Sequence, residues 1–156
     1  MDALSSFAFN INNELLTSAS RILDNYVVFA LIVITLVLVA EKRNPKRVKI
    51  FSALLLATVF AVIIKSAIGM ERPCTSMGLD GCPSDYSFPS VHAAVAFTLM
   101  VSFLDKKSYW FFTLFALFVS FTRLVLAAHS FIDIAGALPV ALITYYMVDV
   151  LWRRFF

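Results

Sequence analysis

His92 and His129 are the chain's two histidines, and each stands beside residues that would let an imidazole react. His129 and Asp133 are four apart, so on a helix they share a face. The carboxylate then accepts from one ring nitrogen and leaves the other free and basic, as for a nucleophile and the group that orients it. His92 lies two residues after Ser90, which follows Pro89 at the head of an apolar run. There Ser90 can cap a helix whose free N–H groups and dipole favour an anion, and His92 can protonate a leaving oxygen. Lys65, Arg72 and Arg123 add three cations suited to an anionic group such as a phosphate. Singly, each has a plainer use: Lys65 and Arg123 can snorkel to headgroups, Arg72 can be solvated, and a membrane histidine can bond between helices. Two histidines at one level with three cations go beyond those uses.

The elements that must position these residues are membrane helices. Of the 156 residues, 61% are hydrophobic and 15% charged, against soluble norms of about 45–50% and about 25%, so an ordinary water-soluble globule is excluded. Sixteen Phe do not fit a disordered chain, and the net charge of +3 lies between apolar runs, so nucleic acid is not an expected partner. Five apolar runs, at about 23–40, 48–69, 89–104, 108–128 and 130–151, predict an all-α, polytopic bundle of five transmembrane helices. The third is short for a span and requires its outer end to lie below the bilayer surface or the bilayer to thin. Residues 1–22 carry Leu4, Phe7, Ala8, Ile11, Leu15, Ala19 and Ile22 at mostly three- and four-residue steps. They predict an amphipathic helix lying on the membrane, with packing against the bundle as the other use of the same stripe. No cleavable signal is evident, so the chain is expected to act whole.

The connection 69–89 is the one substantial loop, holding three of the four Gly, three of the five Pro and both Cys. With the N-terminus outside and the helices alternating, nine of the thirteen Lys and Arg fall inside. That favours N-outside, C-inside, and sets Lys65, His92, Arg123, His129 and Asp133 at the outer ends of their helices. Cys74 and Cys82 then face an oxidising side, where a disulfide is permitted; free thiols are the alternative. No metal-ligand spacing appears apart from the proposed catalytic set, so neither a metal nor another cofactor is expected.

These residues carry a resemblance. "KSAIGMERP" (65–73) resembles the first motif of the type 2 phosphatidic acid phosphatase superfamily, a Lys separated by six residues from Arg-Pro. "PSVH" (89–92) is similar to its second, usually Pro-Ser-Gly-His, and "TRLVLAAHSFID" (122–133) to its third, usually Ser-Arg, five residues, His, three residues, Asp. The motifs come in family order across residues 65–133. The resemblance implies a metal-independent phosphohydrolase working through a phosphohistidine. His129 would be nucleophile, Asp133 its orienter and His92 general acid, then base; Lys65, Arg72, Ser90, the Val91 backbone N–H and Arg123 would hold the phosphoryl oxygens. Val91 replaces the usual Gly and would restrict the backbone and crowd the phosphate, while Thr122 for Ser keeps the hydroxyl. The family's usual plan has six helices, so the N-terminal segment would stand where a first helix would be.

The expected substrate is a lipid phosphate or pyrophosphate at the outer leaflet of the cell membrane, with an isoprenyl (undecaprenyl- or dolichyl-type) diphosphate preferred for a compact, outward-facing chain. Phosphatidic acid and phosphatidylglycerol phosphate are the alternatives. Vanadium haloperoxidases have a similar site but are large soluble proteins, which the composition opposes. In a different class stands a non-catalytic protein that binds or transports anionic lipids; the His129–Asp133 pair argues against it.

Overall fold

The computed structural model describes residues 2–11 and 13–155 and is all-helical among them: α1 (Ala3–Asn10), α2 (Glu14–Asp24), α3 (Tyr26–Ala40), α4 (Asn44–Ile68), α5 (Pro73–Ser76), α6 (Val91–Ser102), α7 (Tyr109–Val125) and α8 (Phe131–Phe155). Each of the five apolar runs overlaps one helix, α3, α4, α6, α7 or α8. Of these, α4 and α8 are long and apolar enough to cross a membrane alone, and the α2–α3 pair, bent by 79°, would make a third. The 12-residue α6 and 17-residue α7 are shorter apolar helices. Two to three candidate spans thus stand where the runs predict five.

Burial explains how α6 is tolerated at about 18 Å. It is the centre of the bundle, packed on α4, α7 and α8, with all its residues but Val91 and Met100 buried. Ser90 before it and Phe103 after it are also fully buried, so protein rather than lipid covers both ends.

The helix order makes an up-and-down bundle with two chemically distinct ends. At one end lie the C-termini of α3 and α8 and the N-terminus of α4. Lys106 bonds Glu41 at 2.6 Å, Lys49 pairs with Asp149, and Lys46 stands 3.6 Å from Asp105. At the other end lie the C-termini of α4 and α7 and the N-termini of α6 and α8, which carry Lys65, Arg123, His92 and Asp133. Helix α4 stops there because Gly69 adopts φ +67 and caps it by donating its N–H to the Lys65 carbonyl at 3.1 Å. That left-handed conformation is one a side chain would strain.

The N-terminal segment departs from the single helix expected over 1–22. It forms α1 and α2, each started by its own side-chain cap: Asp2 accepts from the Ser5 N–H and Asn13 from the Leu16 N–H. Both helices pack on α7, burying Ser5, Ala8, Ser20 and Leu23. The large apolar residues Leu4, Phe7, Ile11, Leu15 and Ile22 stay exposed. The small side covers the bundle, which is the packing use of the stripe, and the large apolar side faces away from it. The 69–89 connection likewise is not all loop, since Pro73 starts the short α5.

Candidate active site

The site is built where the C-termini of α4 and α7 meet the N-termini of α6 and α8, and is closed by the 69–89 connection. Asp133 in the first turn of α8 is wholly buried. One of its oxygens, Oδ2, accepts the Ser130 N–H at 2.6 Å and the Ser87 hydroxyl, and stands 3.6 Å from His129 Nδ1. At 3.6 Å the imidazole and carboxylate face each other without a hydrogen bond. Both His129 Nδ1 and the second carboxylate oxygen, Asp133 Oδ1, are buried without a partner.

The other nitrogen, His129 Nε2, lies 3.1 Å from the Arg72 guanidinium. Arginine only donates, so Nε2 is the acceptor and the ring proton belongs on Nδ1, toward Asp133. His129 sits in the connection between α7 and α8, where burial first, then the Arg72 and Lys65 cations, push its pKa down to about 4 against the opposing effect of Asp133. The imidazole is therefore neutral, as a nucleophile must be.

Arg72 is 4% exposed and every part of its fork is used. Its Nε donates to the Asp85 carbonyl at 2.9 Å, one terminal nitrogen to the Ala128 carbonyl at 2.7 Å, and the other to the Asp85 carboxylate at 2.7 Å. Lys65 Nζ reaches the second oxygen of the same carboxylate at 2.7 Å. Burial alone would raise the Asp85 pKa, but the bonds from Lys65 and Arg72 outweigh it and hold the group below its ordinary value. The chain turns into His129 through Ala127, at φ +50, whose carbonyl accepts the Cys74 N–H at 2.9 Å. A non-glycine residue in that region costs about 1–3 kcal/mol and persists because its surroundings fix it. Cys74 is joined to Cys82 by a disulfide, with Cα atoms 5.8 Å apart.

Ser90 caps α6 by accepting the Ala93 N–H, and its own N–H donates to the Asp133 carbonyl at 3.1 Å. His92, 3% exposed, is stacked on Tyr26 at 4.8 Å and packed against Phe29 at 4.6 Å, with its Nε2 buried and unpartnered. Arg123 is 0% exposed, paired with Asp24 and donating to the Ser20 carbonyl at 3.0 Å. Val91 lines an apolar cavity of about 360 Å³ with His92, Tyr26, Phe29, Val33 and Leu54, between α3, α4 and α6.

Lys65, Arg72 and His129 are thus linked in one network through Asp85, with Asp133 facing His129, while Arg123 is held by α2 and His92 by α3. Asp85, Ser87, Asp24 and Tyr26 were not anticipated. Asp85 and Ser87 fall just before Pro89, the only signal they carry; Asp24 and Tyr26 lie far from every motif in the chain.

The family model described as the PAP2 superfamily matches residues 46–155, which holds all three motifs and every anticipated site residue. The chain belongs to the PAP2 superfamily. That membership, in a chain with helices long and apolar enough to cross a membrane, supports a membrane phosphatase acting on lipid phosphates. Among solved structures the fold is similar to the crystal structure of Aquifex aeolicus LpxE, at 22% sequence identity and a TM-score of 0.72, covering 94% of this chain and 93% of that one. At that identity the likeness concerns the fold, including the N-terminal segment outside the family match. No curated protein gives a significant match to this PAP2 chain.

Proposed function

We propose that this chain hydrolyses a lipid phosphate or pyrophosphate by a two-step, metal-independent mechanism through His129. The observation that carries the reading is the poise of the His129 ring, with Nε2 at a buried guanidinium and Nδ1 facing Asp133. A phosphoryl group bound by Arg72 and Lys65 takes up the Arg72 donor now facing Nε2 and leaves that nitrogen's lone pair free. A small rotation then lets Nδ1–H bond Asp133, supporting the positive charge the ring gains as Nε2 bonds phosphorus. As the P–O bond to the leaving group breaks, protonated His92 gives that oxygen a proton. Neutral His92 then takes a proton from the water that attacks the phosphohistidine, and inorganic phosphate leaves with His129 and His92 restored. Ser90, the Val91 N–H and Arg123 complete the set holding the phosphoryl oxygens.

The apolar cavity supports a lipid substrate, because His92 and Val91 form one wall of it and the rest is apolar apart from Tyr26 and Thr58. A tail can lie there while the phosphate reaches the cations. Val91 lines that cavity, so the reading gives its side chain a place beside the tail. Five spans with the N-terminus outside would place this end at the outer leaflet. An isoprenyl diphosphate is the preferred substrate, since a slender tail suits a single cleft.

Phosphate release in detergent with EDTA, from an isoprenyl diphosphate, phosphatidic acid and phosphatidylglycerol phosphate side by side, tests the reading. Preference for the isoprenyl diphosphate without added metal is expected, with loss of release in His129→Ala. Preference for a glycerolipid would move the chain to phospholipid metabolism. Release needing Mg²⁺, or undiminished in His129→Ala, would overturn the mechanism, and no release from any lipid would favour a binding protein.

A further inference from the structure

The carboxylate of Asp85 engages the same two cations, Lys65 and Arg72, that the proposed reaction needs for a phosphoryl group. Its two oxygens bridge Lys65 and Arg72 at 2.7 Å each, and the far side of the same guanidinium touches His129 Nε2. A trigonal carboxylate offering two oxygens to two cations resembles two oxygens of a phosphoryl group on the same donors. The cations are fixed, with Lys65 and Arg72 side chains 6% and 3% exposed, whereas the Asp85 side chain is 45% exposed and has room to turn away.

The main chain is arranged so that the side chain can leave alone. Arg72 keeps the Asp85 and Ala128 carbonyls as acceptors, and the Ser87 N–H is bonded to the Met70 carbonyl at 2.7 Å. Rotation of one aspartate therefore uncovers the cations without dismantling the site.

We propose that Asp85 is a specificity residue, a tethered anion that sets a charge threshold for the headgroup. The inference rests on the phosphatase reading of this site. A phosphodiester headgroup carries one negative charge, the same as the carboxylate it must displace. It gains nothing electrostatically, and it competes with a group whose tether gives it a millimolar or higher effective concentration. A phosphomonoester or diphosphate brings about two charges or more to the same cations and displaces it. Phosphodiester lipids surround any membrane enzyme in large excess, and this threshold keeps them off the cations.

The test compares dodecyl phosphate with dodecyl methyl phosphate, which share a tail and differ by one charge, as ligands of the full chain in neutral detergent at about pH 8. Binding is read by calorimetry, which needs no turnover. In the unaltered protein the dianion is expected to bind at least about 100-fold tighter. In Asp85→Asn both probes should bind about tenfold or more tighter and by a similar factor, bringing the monoanion onto the cations, because the competent state no longer has to be freed of its own anion. Asp85→Glu should restore part of that competition. Affinities for both probes unchanged within about twofold in Asp85→Asn, or weaker binding of both, would overturn the proposal. Should Asp85→Asn not fold, the unaltered protein decides: equal affinity for the two probes refutes the threshold. Tight, charge-selective binding without hydrolysis of any lipid would leave Asp85 its role and remove the phosphatase mechanism instead.

Discussion

Arg72→Lys isolates what a planar fork does that a point charge cannot. Arg72 joins the Asp85 carboxylate, the Asp85 and Ala128 carbonyls and His129 Nε2 in one rigid group. A lysine keeps the positive charge but presents a single ammonium, which reaches the Asp85 side or the His129 side and not both. Attraction of the phosphate is largely retained, so KM should change by less than about tenfold. What is lost is a donor fixed beside the attacking nitrogen, where charge develops on the phosphoryl oxygens. Removing one such donor elsewhere costs about 2.7–4 kcal/mol, which puts the expected fall in kcat at about 10²–10³. The buried Ala128 carbonyl also loses its Arg72 donor, worth about 1–3 kcal/mol of stability. Steady-state phosphate release in EDTA, with a thermal melt on the same preparation, separates the two effects. A variant within about threefold of the parent kcat, with the loss carried by KM, would refute the argument.

Two further predictions rest on other parts of the site. His129 is driven below the ordinary 6.5 to about 4 in the folded chain, so the unfolded chain takes up its proton first and the stability owed to neutral His129 is full above about pH 6.5 and lost as pH falls toward 4. The melting temperature of the parent should therefore drop more steeply than that of His129→Gln between pH 7 and 4, and parallel curves would count against a buried neutral ring. Gly136 is the second case: a Cβ there would lie 2.2 Å from the Phe88 ring, so Gly136→Ala should push the segment leading to Pro89 and Ser90, costing about 1–3 kcal/mol in a denaturant melt and lowering kcat. An alanine variant indistinguishable in both would show that Phe88 moves freely.

Much of the site was legible because its residues are costly where they stand. Lys65, His92, Arg123 and Asp133 interrupt apolar runs, and spacing alone pairs His129 with Asp133. The residues that complete the network were not legible for the opposite reason. Asp85 lies in a polar loop and Asp24 near a helix end, where a carboxylate is ordinary. Nothing in their local pattern shows that one bridges Lys65 with Arg72 or that the other pairs with Arg123. The N-terminal stripe does not show the break between α1 and α2, because Asn13, which caps α2, competes with a continuous helix only through local bonds.

By itself, the sequence determined a helical membrane chain of the PAP2 kind and the inventory of its chemistry, since hydropathy, charge and motif spacing are properties of single segments. The tertiary structure decided which groups meet. It seated α6 at the centre of the bundle, set Nε2 of His129 on Arg72 rather than in the open, and brought a loop aspartate to the two cations of the first motif. Those outcomes depend on helix packing and on one connection folding back over the bundle's end, and such long-range contacts leave no periodic trace in the chain.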